Sequence, residues 1–205
     1  MAKIRFTKGE LKRQRDALRQ YERYLPVLQL KKQQLQMEIL RMSALLEEKK
    51  SSERRRTAEA LSWAGLLADK TVDIRPWVKP VKVFKSSRNV AGTDLPAFER
   101  LEFAQADYDL FIAPIWVDAA IEALKVITAL REEIRMIESA VAVLRQELRI
   151  ATQRVNLFEK IKIPEAEEAI RVIKIYMGDQ MANAVGRSKI AKRKIEAEES
   201  AEVNA

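Results

Sequence analysis

The chain is predicted to be mainly α-helical, a long antiparallel two-helix coiled coil with a small β-hairpin or irregular head between the helices. Three observations predict it. Leu18, Tyr21, Leu25, Leu28, Leu35, Ile39, Met42 and Leu46 alternate by three and four residues, with Lys32 filling one slot. Leu130, Ile134, Ile137, Val141, Leu144, Leu148, Ala151, Val155 and Phe158 do the same without a break. This spacing is a heptad seam, which winds two helices around each other left-handedly. Finally, 5 Gly and 6 Pro in 205 residues leave room for few tight turns. A two-stranded hairpin encloses little volume, so it suits a shaft, strut or adaptor better than an enzyme.

Taken in order, residues 1–70 form the first long helix, 71–117 the head, 118–185 the second long helix, and 186–205 a charged tail expected to fray. Residues 1–6 read as a short lead-in. Thr7 is a candidate N-cap, and Glu10 sits at the spacing of a capping box. The helical pattern then runs to about Leu67, some sixty residues or roughly 90 Å at about 1.5 Å each. Pro26 lies inside it and is expected to kink or locally break the hydrogen-bond ladder.

The head holds Pro76, Pro80, Pro96 and Pro114 with Trp77 and Trp116. Val78, Val81, Val83 and Phe84 read as a short strand, Asn89 to Gly92 as a turn, and Phe98, Leu101 and Phe103 as the return strand. The second helix begins near Pro114 to Asp118 and runs to about Lys162. It is interrupted or kinked near Pro164. Ala166, Ile170, Ile173 and Met177 then resume the apolar period. Glu165, Glu167 and Glu168 sit in the first turn, where the helix dipole favours acids.

Composition excludes most chemistry. There is no Cys and no His, hence no thiol nucleophile, imidazole base, disulfide or ordinary transition-metal site. No Gly-rich loop leads into Lys-Ser or Lys-Thr, so there is no P-loop. Adjacent carboxylates such as Glu132/Glu133 and Glu167/Glu168 do not face each other on a helix and read as solvated faces. No catalytic, cofactor-binding or metal-ligating residue is therefore assigned. The opening MAKIRFTKGELKRQRD has no apolar core of a signal peptide, and no run of about 18 apolar residues would span a bilayer. The stretch from Phe111 to Leu130 comes nearest, but Asp118, Glu122 and Lys125 interrupt it.

Charge is uneven. Residues 1–56 carry 16 Lys+Arg against 7 Asp+Glu, a net of +9, while the remainder carries 22 against 23. The cations Lys12, Arg13, Arg15, Arg19 and Arg23, and the run Arg54, Arg55 and Arg56, fit either phosphates or an acidic protein socket. Base-stacking aromatics are not interleaved with them, which favours a solvated face or a protein contact over nucleic acid. On residues alone, a coiled-coil adaptor or scaffold and a basic nucleic-acid-binding hairpin both stay open.

The segment ATQRVNLFEKIKIPEAEEAIRVIKIYM, residues 151–177, separates these readings. It resembles the C-terminal signature of the D subunits of V-type and archaeal A-type rotary ATPases: Arg-Val-Asn, then Glu, then Ile-Pro, then an Ile-rich helical repeat. The matching positions are Arg154, Val155, Asn156, Glu159, Ile163, Pro164, Ile170 and Ile173. The opening matches more loosely through Thr7, Leu11, Lys12 and Leu18. Where the family carries Lys-Arg-Asp, this chain has Lys31, Lys32 and Gln33. The family's Gly before a Leu-Leu pair is not evident, which points to a divergent bacterial branch.

The resemblance implies a non-catalytic rotor shaft, the central stalk that couples ATP hydrolysis or synthesis in a ring of A and B subunits to proton or sodium transport. It implies that the coiled coil enters that ring, that the head and nearby helix hold the small F subunit, and that the lower end rests on the C or d socket above the membrane rotor. It implies no bound cofactor, nucleotide or nucleic acid, and a place peripheral to the membrane on its cytoplasmic side. The basic residues Lys12, Arg13, Arg15, Arg19, Arg54, Arg55 and Arg56 are then candidates for contact with the ring.

Overall fold

The computed structural model describes residues 5–68, 72–109 and 113–203. Helix α1 spans Lys8–Leu61 and ends in a 3-10 turn, Ala64–Ala68. A single helical turn, α2 (Arg75–Val78), leads into strands β1 (Pro80–Val90) and β2 (Thr93–Phe103). Helix α3 (Trp116–Leu157) passes through a π-helical turn, Phe158–Lys162, into α4 (Ile163–Val203). This is the predicted class: two long helical stretches with a small antiparallel sheet between them. The chain forms two compact units, Leu30–Thr152, and Met1–Gln29 with Gln153–Ala205.

In the unit Leu30–Thr152, α1 and α3 run antiparallel. Leu35 of α1 is wholly buried with Ala140, Leu144 and Ala151 of α3, and Ile39, Met42 and Leu148 pack around them. All but Ala140 are predicted seam positions; Ala140 lies beside Val141 and widens the buried stripe. Lys32, the odd residue in the seam, is half-buried, so its apolar stem lies along the core. Ion pairs cross the seam at its rims: Lys49 to Glu133 at 2.9 Å, Lys50 to Glu138 at 2.7 Å and Arg131 to Glu53 at 2.8 Å.

The hairpin is longer than its sequence announces, with eleven residues in each strand. The exposed run from Lys85 to Asn89 belongs to β1 rather than to a loop. The two-residue turn Ala91-Gly92 has φ of 51° and 77°, the doubly positive geometry whose twist suits a hairpin. Asn89 secures it twice: its Oδ1 accepts from the Gly92 N–H at 3.1 Å, and its Nδ2 donates to Asp94 at 2.7 Å. Leu95, with Val90 and Ala91, packs against the α1–α3 core, and Arg88 donates to Glu38 of α1 at 2.7 Å.

A second core closes the end of the helical pair. Ile74, Val117, Ala120 and Ile121 are buried among Trp63, Trp77, Trp116 and Tyr108. Trp77 and Tyr108 lie 5.1 Å apart, and the Tyr108 hydroxyl donates to Asp118. This core corrects the first helix boundary. α1 stops at Leu61 rather than near Leu67, because the backbone tightens into i→i+3 bonds that carry Trp63 into the aromatic cluster. Val78 likewise closes α2 instead of opening β1.

In the other unit, Thr7 caps α1 as expected, with its Oγ1 accepting from the Glu10 N–H at 3.2 Å. The box is half closed, since Glu10 accepts from Gln14 at 2.7 Å. α1 continues unbroken through Pro26. Pro26 offers no N–H to the Glu22 carbonyl, but both residues are exposed and water can take that bond. Opposite α1, Val155, Ala166, Ala169, Ile170 and Ile173 are buried. Tyr21 meets Phe158 at 5.3 Å between ring centroids, and Phe6 meets Tyr176 at 4.9 Å.

The expected fraying of 186–205 gives way to helix through Val203. Ala, Lys, Arg and Glu dominate residues 187–197, all strong helix formers, and Lys192 pairs with Glu196 at 3.5 Å across one turn.

Candidate functional site

Among the described residues no cluster of acids could hold a metal ion, and no helix is long and apolar enough to cross a membrane. A cavity of about 930 Å³ lies at the aromatic end, lined by Leu67, Val72, Ile74, Val78, Trp116 and Leu124. Lys79 also lines it, and two of its other polar groups are engaged locally. Asp73 accepts from Arg75 at 2.8 Å, and the Thr128 hydroxyl donates to the Leu124 carbonyl at 2.8 Å. The Arg75 hydrogen bonds hold the Asp73 carboxyl below its ordinary value, so it is no proton acceptor at neutral pH. Such a mainly apolar cavity can receive an apolar side chain.

The structure divides the signature residues between two faces of one helical stretch. Val155, Ile170 and Ile173 are buried, with Ile173 wholly inaccessible. Arg154, Asn156, Glu159 and Pro164 are exposed, and Ile163 is half-buried. The apolar half builds the seam. Arg154, Asn156 and Glu159 make no hydrogen bond or ion pair among the described residues, so no such contact ties those three side chains into the fold.

Pro164 has a local cause and effect. A proline cannot donate to the carbonyl four residues back, and its ring crowds that carbonyl. The helix widens ahead of it: the Ile163 N–H donates to Phe158 O in the π-turn pattern. The expected interruption is therefore a widened turn, and helical structure passes through without a stop.

The candidate basic residues fall into two groups. Lys12, Arg15, Arg19 and Arg23 recur every three or four residues along one face of α1, with Asp16 among them; all are exposed. Arg13 lies beside that face, 3.9 Å from Glu10. Lys12, Arg15, Arg19 and Arg23 make no ion pair among the described residues. Arg54, Arg55 and Arg56 belong to the other unit. There Arg54 approaches Glu47 and Arg56 approaches Glu59, each at 3.7 Å. Sequence reasoning missed Glu38, Glu53, Glu133 and Glu138, the acids that carry the tertiary ion pairs. For three the signal was present, since Glu38, Glu133 and Glu138 flank the seam residues Ile39, Ile134 and Ile137; Glu133, read as a solvated face, instead pairs with Lys49. Arg131 beside Glu53 holds that carboxyl below its ordinary value, and Arg171 does the same for Glu168 within α4.

Comparison with known proteins decides what this arrangement is. Residues 10–193 match the family model of the ATP synthase D subunit. The chain belongs to that family. A Borreliella burgdorferi protein, named as the D subunit of a V-type ATP synthase, is 42% identical over 192 residues, covering 94% of this chain and 95% of the relative. Proteins of the same name from Chlamydia caviae and Chlamydia trachomatis serovar L2 are 31% and 28% identical, each over 95% of this chain. The resemblance carried by residues 151–177 thus extends over nearly the whole D-subunit sequence, including the head where no motif was apparent.

Proposed function

We propose that this chain is the central shaft of a V-type rotary ATP synthase or ATPase, peripheral to the membrane on its cytoplasmic side. The observation that carries the reading is the family match over residues 10–193, on a chain whose two long helices bury their seams against each other. The relatives are named as D subunits of V-type ATP synthases, which supports a place among partner subunits; on this reading the partners are the A and B ring, the F subunit and the C or d socket. The shaft does no chemistry. It couples ATP turnover in the ring to proton or sodium movement because each rotational position presents a different face, which favours a different conformation of the surrounding site.

The face of Lys12, Arg15, Arg19 and Arg23 suits acidic loops of that ring, because these cations make no ion pair among the described residues. Energy per solvated pair is small, about 0–1 kcal/mol, so such contacts guide rotation without locking it. The exposed Arg154 and Asn156 suit the same role on α3, and the exposed Glu159 on the π turn suits a basic group of a partner.

The deciding experiment co-expresses the chain with the A, B and F subunits and follows ATPase turnover with and without it. One copy per ring with changed sustained turnover supports the shaft. Failure to enter the ring removes it and leaves an adaptor. Replacing Lys12, Arg15 and Arg19 by Glu should weaken assembly, and unchanged assembly and turnover at low salt would overturn the charge assignment.

A further inference from the structure

We propose that the outer edge of β1 docks an extended, acidic segment of another protein, which adds to the hairpin as a third strand. The sheet has two strands, so each carries a free edge. The two edges are not equivalent. In a hairpin closed by a two-residue turn, the flanking pair Val90 and Thr93 exchanges both backbone hydrogen bonds, and every second pair repeats the pattern. Arg88–Leu95 and Ser86–Ala97 are therefore bonded pairs. Asn89–Asp94, Ser87–Pro96 and Lys85–Phe98 turn their backbone groups outward.

On β2 the middle of the outward row is Pro96, which has no N–H to offer, and proline there blunts an edge. Across the ladder, β1 presents complete peptide groups at Lys85, Ser87 and Asn89, all exposed. They lie on the turn side of the irregularity between Phe84 and Lys85, where the register is regular. The outward row is interrupted at its middle on β2 and complete on β1.

Charge selects the occupant. From Lys79 to Val90 the chain carries Lys79, Lys82, Lys85 and Arg88 and no acid. Arg88 is held by Glu38, and Lys82 lies over the Phe84 ring at 4.8 Å. Lys85 has no ion pair among the described residues. A row of cations repels a second copy of itself and so prevents homotypic pairing, a common use of Lys on edges. The same row attracts a strand bearing Glu or Asp, and backbone pairing supplies the affinity. This inference stands on the sheet alone and survives or fails independently of the shaft reading.

The test uses the full chain and an eight-residue peptide alternating Glu and Val, with a Lys-Val peptide as control. Amide exchange by NMR should slow by about tenfold at Lys85, Ser87 and Asn89 when the Glu-Val peptide saturates, with little change at the already bonded Ser86, Arg88 and Val90. Ser87→Pro removes an outward donor directly across from Pro96 and should weaken peptide binding by about tenfold. Retained protection at Arg88 and Val90 verifies that the hairpin is intact in that variant. The pair Lys82→Glu and Lys85→Glu, which leaves the backbone untouched, should lose the Glu-Val peptide and gain the Lys-Val one. No binding by wild type, binding without protection at the outward amides, or equal binding by both variants would each overturn the proposal.

Discussion

The two units bury similar apolar seams but handle charge differently. In Leu30–Thr152, ion pairs tie α1 to α3 through Lys49–Glu133, Lys50–Glu138 and Arg131–Glu53, and Arg88–Glu38 ties the hairpin to α1. In the unit of residues 1–29 and 153–205, ion pairs among the described residues lie one turn apart within a helix, as in Arg13–Glu10 and Arg171–Glu168. That unit holds 18 Lys+Arg against 12 Asp+Glu, while the other holds 20 against 18. One unit uses its charges in its own tertiary structure. The other keeps a cationic face, Lys12, Arg15, Arg19 and Arg23, that makes no ion pair among the described residues.

The sharpest challenge to this comparison is apolar. If the seams carry stability in both units, Leu35→Ala and Ile173→Ala should each cost about 2–5 kcal/mol, because both side chains are wholly buried and leave cavities. Urea denaturation followed by circular dichroism measures the loss. The exposed Leu40, 72% accessible, is the control, and its Ala variant should lie within about 0.5 kcal/mol of wild type. A cost at Leu35 with none at Ile173 would mean that the two seams are not equivalent.

Next comes the hairpin turn. Ala91 holds a left-handed φ that costs an L-residue about 1–2 kcal/mol, so Ala91→Asn should raise stability by roughly 1 kcal/mol. A lower melting temperature in that variant would show that the Ala91 methyl group matters more to the core than its backbone strain does.

Smaller still is the effect of the cross-helix charges. The hydrogen bond from Arg131 lowers the pKa of Glu53, so the stabilisation exists above the ordinary carboxylate value of 4.5 and disappears as pH falls through the lower, folded value. Glu53→Gln should therefore lower the melting temperature at pH 7, by no more than about 1 kcal/mol of stability, and the gap should close in acid. A gap that persists at pH 2 would assign it to packing. The smallest change is expected from neutralising Lys12, Arg15 and Arg19 to Gln, within about 0.5 kcal/mol of wild type by denaturation. A larger loss would show that this face serves the fold.

Much of this was legible in the residues. The two seams named the helical pair because a 3-4 apolar period has one economical burial. Thr7 and the Asn89 to Gly92 turn declared themselves through cap and turn chemistry. The length of β1 did not, because Lys85 to Asn89 are exposed and polar and look like loop; their strand state comes from pairing with β2. The early end of α1 was hidden as well, since no breaker marks Leu61 and the cause is Trp63 reaching an aromatic cluster built from distant segments. For the candidate surface, the positions of the cations were visible. Which of them find acids was not, because Glu53 and Arg131 are 78 residues apart.

Periodicity, composition and the signature at 151–177 thus determined by themselves the helical class, the absence of thiol and imidazole chemistry, and the family, because each is written in local order. Only tertiary structure decided how far the hairpin extends, where α1 ends, and which charges find partners. Those outcomes depend on groups brought together from far along the chain, and no local pattern encodes who their neighbours will be.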